Sequence, residues 1–117
     1  MFGEVRKQPT VGWTGAAVGK VNLRKLARGQ ECQLRLHDVD GVRICNFNTD
    51  TVCLCHLRLG GVAGLGQKPP DLCAVYACSD CHDVVDGRVK RLVPNIDMDL
   101  LRALLRTLAI VSKELGL

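Results

Sequence analysis

The apolar positions of this chain change period several times, and each change marks an element. Asn22 offers an N-cap to Leu23-Arg24-Lys25-Leu26-Ala27-Arg28, and Gly29 stops the run. Leu23, Leu26 and Ala27 fall on one side of this short helix, with Arg24, Lys25 and Arg28 on the other. From Cys32 the period becomes two. Gln33-Leu34-Arg35-Leu36 alternates, Asp40-Gly41 is a turn signal, and Val42-Arg43-Ile44-Cys45 follows. The pattern predicts a hairpin with one cysteine on each arm. The run 51–57 is rich in β-formers and predicts the next strand, and 72–76 predicts another. Cys78-Ser79-Asp80-Cys81 then opens a helix to about Val85, with Gly87 near its end.

The last element is a long helix over about 96–116. Asn95 or Asp97 can cap it, and Asp97 and Asp99 suit its positive N-terminal end. Leu101, Leu104, Leu105, Leu108, Val111 and Leu115 form one apolar stripe, widened by Leu100 and Ile110. The stripe is read as core packing, with a homodimer contact as its alternative use. Residues 1–20 show little periodicity and hold several glycines. They predict a loosely ordered arm, with Trp13 as an anchor to the body. Residues 60–70 read as a glycine-rich loop ending in Pro69-Pro70. This loop is no phosphate cradle, because Gln67 stands where a lysine would follow Gly66. The 117 residues suffice for one domain, placed at 21–117.

Composition adds two constraints. Aromatics are only 3% of the chain, so the core leans on aliphatic side chains. The net charge is +4, and all of that excess lies in residues 1–31, which suits a phosphate-contacting arm and, on charge alone, equally a solvated basic terminus. No stretch approaches the roughly 18–20 apolar residues of a membrane span. No signal-peptide pattern opens the chain.

Seven cysteines, an odd number, then point to a reducing cytosolic compartment and to metal rather than disulfides. Cys78-x-x-Cys81 is a metal knuckle, and Cys32 and Cys45 lie twelve residues apart on the expected hairpin. Together they make a four-thiolate set for a structural zinc ion. A small domain gains from such a staple. Cys53, Cys55 and Cys73 are read as small buried residues, with a second metal pair of Cys53 and Cys55, which share a strand face, as the less favoured use.

The histidines are ordered around these cysteines. His56 closes one strand, Asp71 precedes the next, and His82 directly follows Cys81. That order resembles the HNH motif of ββα-metal (His-Me finger) nucleases, with Asp71 where Asn is common. The runs LRKLARGQEC at 23–32, HLRL at 56–59, GQKPPDL at 66–72 and ACSDCHD at 77–83 resemble the YbcO family of phage- and prophage-borne HNH-type nucleases. The likeness spans about Asn22 to Arg88.

The resemblance implies an α+β fold: a small zinc-stapled ββα-metal domain with flanking helices. It implies a metal-dependent endonuclease that hydrolyses DNA phosphodiester bonds in the cytoplasm of a bacterial host. His56 would be the general base, Asp71 would orient it, and His82 would ligate a catalytic Mg²⁺ or another divalent ion. Asp86, four residues on along the same helix face, could share that ion. Many family members carry an Asp or His ligand directly before the base, where this chain has Cys55. Arg24, Lys25, Arg28, Arg58 and Lys68 are the candidate DNA contacts. Two other classes remain open: a non-catalytic zinc module that binds nucleic acid, and a protein adaptor that uses the C-terminal helix.

Overall fold

A computed structural model describes residues 17–18, 21–58 and 69–117. Most of the expected arm, including Trp13, and most of the glycine-rich loop, including Lys68, lie outside the described residues. At the end of the arm, β1 (Ala17–Val18) pairs antiparallel with β2 (Val21–Asn22).

Helix α1 (Leu23–Ala27) forms as its sequence predicts. The Asn22 side chain accepts hydrogen bonds from the backbone N–H groups of Arg24 and Lys25. Leu23 and Ala27, one turn apart, are both buried. Gly29 takes φ +79 and releases the chain.

The centre is a two-stranded antiparallel sheet of β3 (Cys53–His56) and β4 (Ala74–Ala77), in register Cys53 to Ala77 and His56 to Ala74. Helix α2 (Ser79–Val85) follows β4 after one residue, Cys78, which caps it. Helix α1 packs on β3, the long helix α3 (Ile96–Glu114) packs on β4, and α2 touches both strands. The molecule is therefore α+β, with its core between the sheet and three helices. Tyr76, fully buried on β4, is the largest side chain in it. No helix among the described residues is long and apolar enough to cross a membrane.

Two expectations fail, the second only in part, each for a physical reason. The hairpin expected over Cys32–Cys45 is not a ladder: its arms meet only at a single bridge, His37 to Arg43. Arg35 has φ 52, which breaks the extended run three residues after Cys32. That turn lets the N–H groups of Leu34 and Arg35 point at the Cys32 sulfur. The needs of a sulfur cluster override the period-two pattern. The Asp40-Gly41 turn does form, closed by Asp38 Oδ1, which accepts from the N–H groups of Asp40 and Val42.

The second concerns the face of α3, where the expected stripe holds in part: Leu104, Val111 and Leu115, with Leu100 and Ile110, pack on the core. Leu101 is 48% exposed and Leu105 is 59% exposed, although both belong to the expected stripe. The buried line is Ala103, Thr107 and Val111, flanked by Leu100 and Leu104. The reason lies on β4, whose outer edge has no partner strand among the described residues and whose polar groups must be satisfied. Thr107 Oγ1 accepts the Tyr76 N–H at 3.1 Å, and the Gln33 N–H donates to the Tyr76 carbonyl at 2.8 Å. Arg106 Nη2 in turn donates to the Gln33 carbonyl at 2.7 Å. Small Ala103 lets the helix come close enough for this. At the start of α3, Asn95 sits in the left-handed region without a side-chain cap bond, and its carbonyl accepts from the N–H groups of Met98 and Asp99. Thr107→Val keeps shape and removes the acceptor. It should cost about 1–3 kcal/mol, read by urea denaturation, because a buried N–H is left unpaired. A loss under about 0.5 kcal/mol would mean that the edge is satisfied otherwise.

Candidate functional site

Helix α2 carries two sets of side chains on two sides. Its N-cap Cys78 and first-turn Cys81 point into the core, where they meet Cys32 and Cys45. All four are buried, all are free thiols, and their sulfurs lie within 4.8 Å of one another. Cys78 Sγ is 3.8 Å from Cys45 Sγ. That is far beyond a disulfide bond, and it equals the edge of a sulfur tetrahedron with a centre-to-sulfur distance of about 2.3 Å. The Cys81 N–H also donates to Cys78 Sγ at 3.4 Å, so the knuckle and the helix cap are one structure.

Charge makes the same point. The Cys81 thiol donates to Cys32, which draws Cys32 down to about 4 against the opposing effect of burial. Cys81 holds the shared proton and is pushed up, with burial adding to that. Burial pushes Cys45 up to about 12. Left to themselves, these cysteines sustain few thiolates, and four side by side need a cation among them. The cluster fits a metal ion in number, donor type and spacing.

The other side of α2 faces an open cleft of about 750 Å³. His56 closes β3 and is almost fully buried. Its Nε2 lies 2.7 Å from Asp71 Oδ1; in the neutral ring with its proton on Nε2, that N–H donates to the carboxylate and Nδ1 keeps its lone pair. Asp71 is buried too. Its Oδ2 forms an ion pair with Arg24 Nε at 3.3 Å, outside hydrogen-bonding geometry. Helix α1, β3 and the turn before β4 thus meet at one buried carboxylate.

His82 and Asp86 are one helical turn apart, with Nε2 3.0 Å from Oδ2. His82 Nδ1 lies 3.2 Å from Cys53 Sγ. Arg88 Nη2 is 3.2 Å from Asp86 Oδ2, and its Nη1 is 3.1 Å from Asp83 Oδ1. Arg24, Arg28, Arg58 and Arg88 all line the cleft together with His56, His82 and Asp86. Four guanidinium groups stand against the carboxylates of Asp50 and Asp86 in this lining, and Arg24 and Arg88 are already ion-paired, so the cleft carries a basic excess suited to an anion. Lys25 is exposed on α1 and does not line the cleft, and Lys68 lies outside the described residues.

Three residues of this site were not expected from the sequence. Arg88 had no signal beyond its two acidic neighbours. Cys53, read as a buried residue, is exposed because its strand face opens onto His82. Cys55 is buried as expected, yet its sulfur lies within 4.8 Å of ligand atoms of His82 and Asp86. Burial pushes the Cys55 thiol up to about 12, with the Asp86 charge adding. Its place directly before His56 was the available signal. Cys73 is half-buried.

A sequence model of the family described as "Putative nuclease YbcO" matches residues 21–116. Two curated relatives are "Putative nuclease YbcO" of Escherichia coli (strain K12) and "Putative nuclease ybcO" of Enterobacteria phage 82. Each is 54% identical over 67 residues, which are 57% of this chain and 65% of the relative. The chain thus spans just under two thirds of those relatives' length. A solved structure described as "a putative bacteriophage protein" from Escherichia coli str. K-12 substr. MG1655 is similar at 37% identity and a TM-score of 0.60. That likeness covers 80% of this chain and all of the other.

Proposed function

The chain belongs to the YbcO family, and from that premise we propose that it is a metal-dependent HNH-type endonuclease that hydrolyses DNA phosphodiester bonds. The observation that carries this reading is the buried His56–Asp71 pair opening into the arginine-lined cleft that also holds His82 and Asp86. A buried histidine held by a carboxylate and aimed at an anion site is a general base in waiting. We read β3, β4 and α2 as the ββα-metal unit, within a single domain at 21–117.

Each residue then has a part. Asp71 fixes the His56 ring and its tautomer. His56 Nδ1 takes a proton from water as the water oxygen attacks phosphorus, and the bond to the leaving oxygen breaks. Arg24, Arg28, Arg58 and Arg88 hold the phosphates and favour the extra negative charge of the transition state. His82 and Asp86 would hold a divalent ion, which supplies positive charge to the phosphate and the leaving oxygen. The four-cysteine zinc is structural in this reading, and no reacting atom touches it. Contacts to phosphate rather than base edges imply little sequence preference. We read the protein's place of action as the cytoplasm of a bacterial host.

Supercoiled plasmid incubated with the full chain and Mg²⁺, Mn²⁺ or Zn²⁺ should be nicked, and chelator should stop the nicking. Tight DNA binding with no cleavage under any of these ions would instead identify a non-catalytic zinc module.

A further inference from the structure

We propose that Cys55 is a third protein ligand of the ion held by His82 and Asp86, so that this site takes zinc-like ions in preference to Mg²⁺. The proposal rests on the reading that His82 and Asp86 hold an ion, and it adds the donor that decides which ion.

The geometry comes from two elements. β3 turns Cys53 and Cys55 to the same face, and α2 lays His82 and Asp86 against it. Cys53 Sγ touches His82 Nδ1 at 3.2 Å, which shows how closely strand and helix approach. Cys55 Sγ, one His82 nitrogen and one Asp86 oxygen lie within 4.8 Å of one another. Ligands at about 2.0–2.3 Å from a shared four-coordinate ion lie about 3.3–3.8 Å from each other, so these three donors stand close enough for small side-chain rotations to bring them onto one ion. A buried cysteine is ordinarily only a small apolar residue. Cys55 differs because its buried sulfur lies beside two other donors, His82 and Asp86, that line the cleft.

The donor set has a chemical consequence. Mg²⁺ demands oxygen ligands in octahedral array, and two carboxylates or waters serve it better than a thiolate. One sulfur, one imidazole nitrogen and one carboxylate oxygen suit Zn²⁺ or Co²⁺. Three protein donors also leave a fourth position for water or substrate, as in catalytic zinc sites. The thiol proton leaves to solvent when the ion binds.

Cobalt provides the test. Full-length protein carrying one equivalent of zinc in the four-cysteine site is titrated with Co²⁺. A second equivalent should bring a near-ultraviolet sulfur-to-cobalt charge-transfer band. Cys55→Ala should retain its one zinc and lose that band, and its second ion should bind about tenfold or more weakly. Excess Mg²⁺ should fail to displace Co²⁺ from the natural chain. Identical spectra for the two proteins overturn the proposal, as does displacement by Mg²⁺ with equal ease in both. If no second ion binds the natural chain, the reading of His82 and Asp86 falls with it. If the second ion binds without the band, only the role of Cys55 falls. If the band appears but plasmid stays intact, the thiolate site stands and the nuclease reading falls.

Discussion

Cys78→Ser should unfold this domain. The four sulfurs bring the 32–45 segment together with the N-terminus of α2. A structural zinc site contributes an apparent free energy of roughly 10–16 kcal/mol at neutral pH, while whole domains are stable by only about 5–15 kcal/mol. Losing one of four thiolates therefore threatens the entire balance. Arg35 and Phe47 hold left-handed backbone beside the cluster, strain of order 1 kcal/mol each that the intact site must offset. The serine hydroxyl could still accept the Cys81 N–H, so the substitution removes a sulfur donor without removing the helix-cap acceptor. Far-ultraviolet circular dichroism and zinc content read the result. Cys73→Ser, outside both metal groups, should stay within about 1 kcal/mol of the natural protein. A Cys78→Ser protein with full helical signal and no bound zinc would remove the structural role from the cluster.

That cluster was legible in the sequence because metal ligation imposes spacing. Cys78-x-x-Cys81 and the Cys32 and Cys45 pair announce a set of donors before any fold is known. Helix α1 was legible through Asn22 and Gly29, since caps act locally. The segment between Cys32 and Cys45 was not, because its alternation competes with a sulfur that collects N–H groups and bends the chain at Arg35. The face of α3 was legible only in part, for a related reason: Leu104, Val111 and Leu115 pack as the stripe predicts, but the buried line runs through Ala103 and Thr107. Apolarity picks out Leu101 and Leu105, but an unpartnered strand edge needs a hydroxyl, and Thr107 supplies it. Long-range polar satisfaction leaves no periodic trace. Cys55 shows the same limit at the site. Its position before His56 was visible, yet only the packing of β3 on α2 brings its sulfur to His82 and Asp86.

The largest effect on activity should come from His56, and the choice of substitution decides what the experiment means. His56 is buried, and removing its ring leaves Asp71 Oδ1 without its donor, at a cost of about 1–3 kcal/mol. His56→Ala alone would thus mix a folding loss with a catalytic one. His56→Gln keeps most of the volume and an N–H for Asp71, but it offers no nitrogen lone pair to a water. With the proton acceptor gone, turnover should fall by about 10²–10⁴-fold, or roughly 3–5 kcal/mol of transition-state stabilisation. Affinity for DNA should hardly change, because Arg24, Arg28, Arg58 and Arg88 remain around the cleft. A fall in turnover with unchanged binding is what separates a lost base from a disturbed binding surface. Nicking rates of folded His56→Gln and His56→Ala should therefore agree closely, although their urea midpoints differ. If either folded variant nicks plasmid within about tenfold of the natural chain, His56 is not the base, and the proton must go to another group in the cleft.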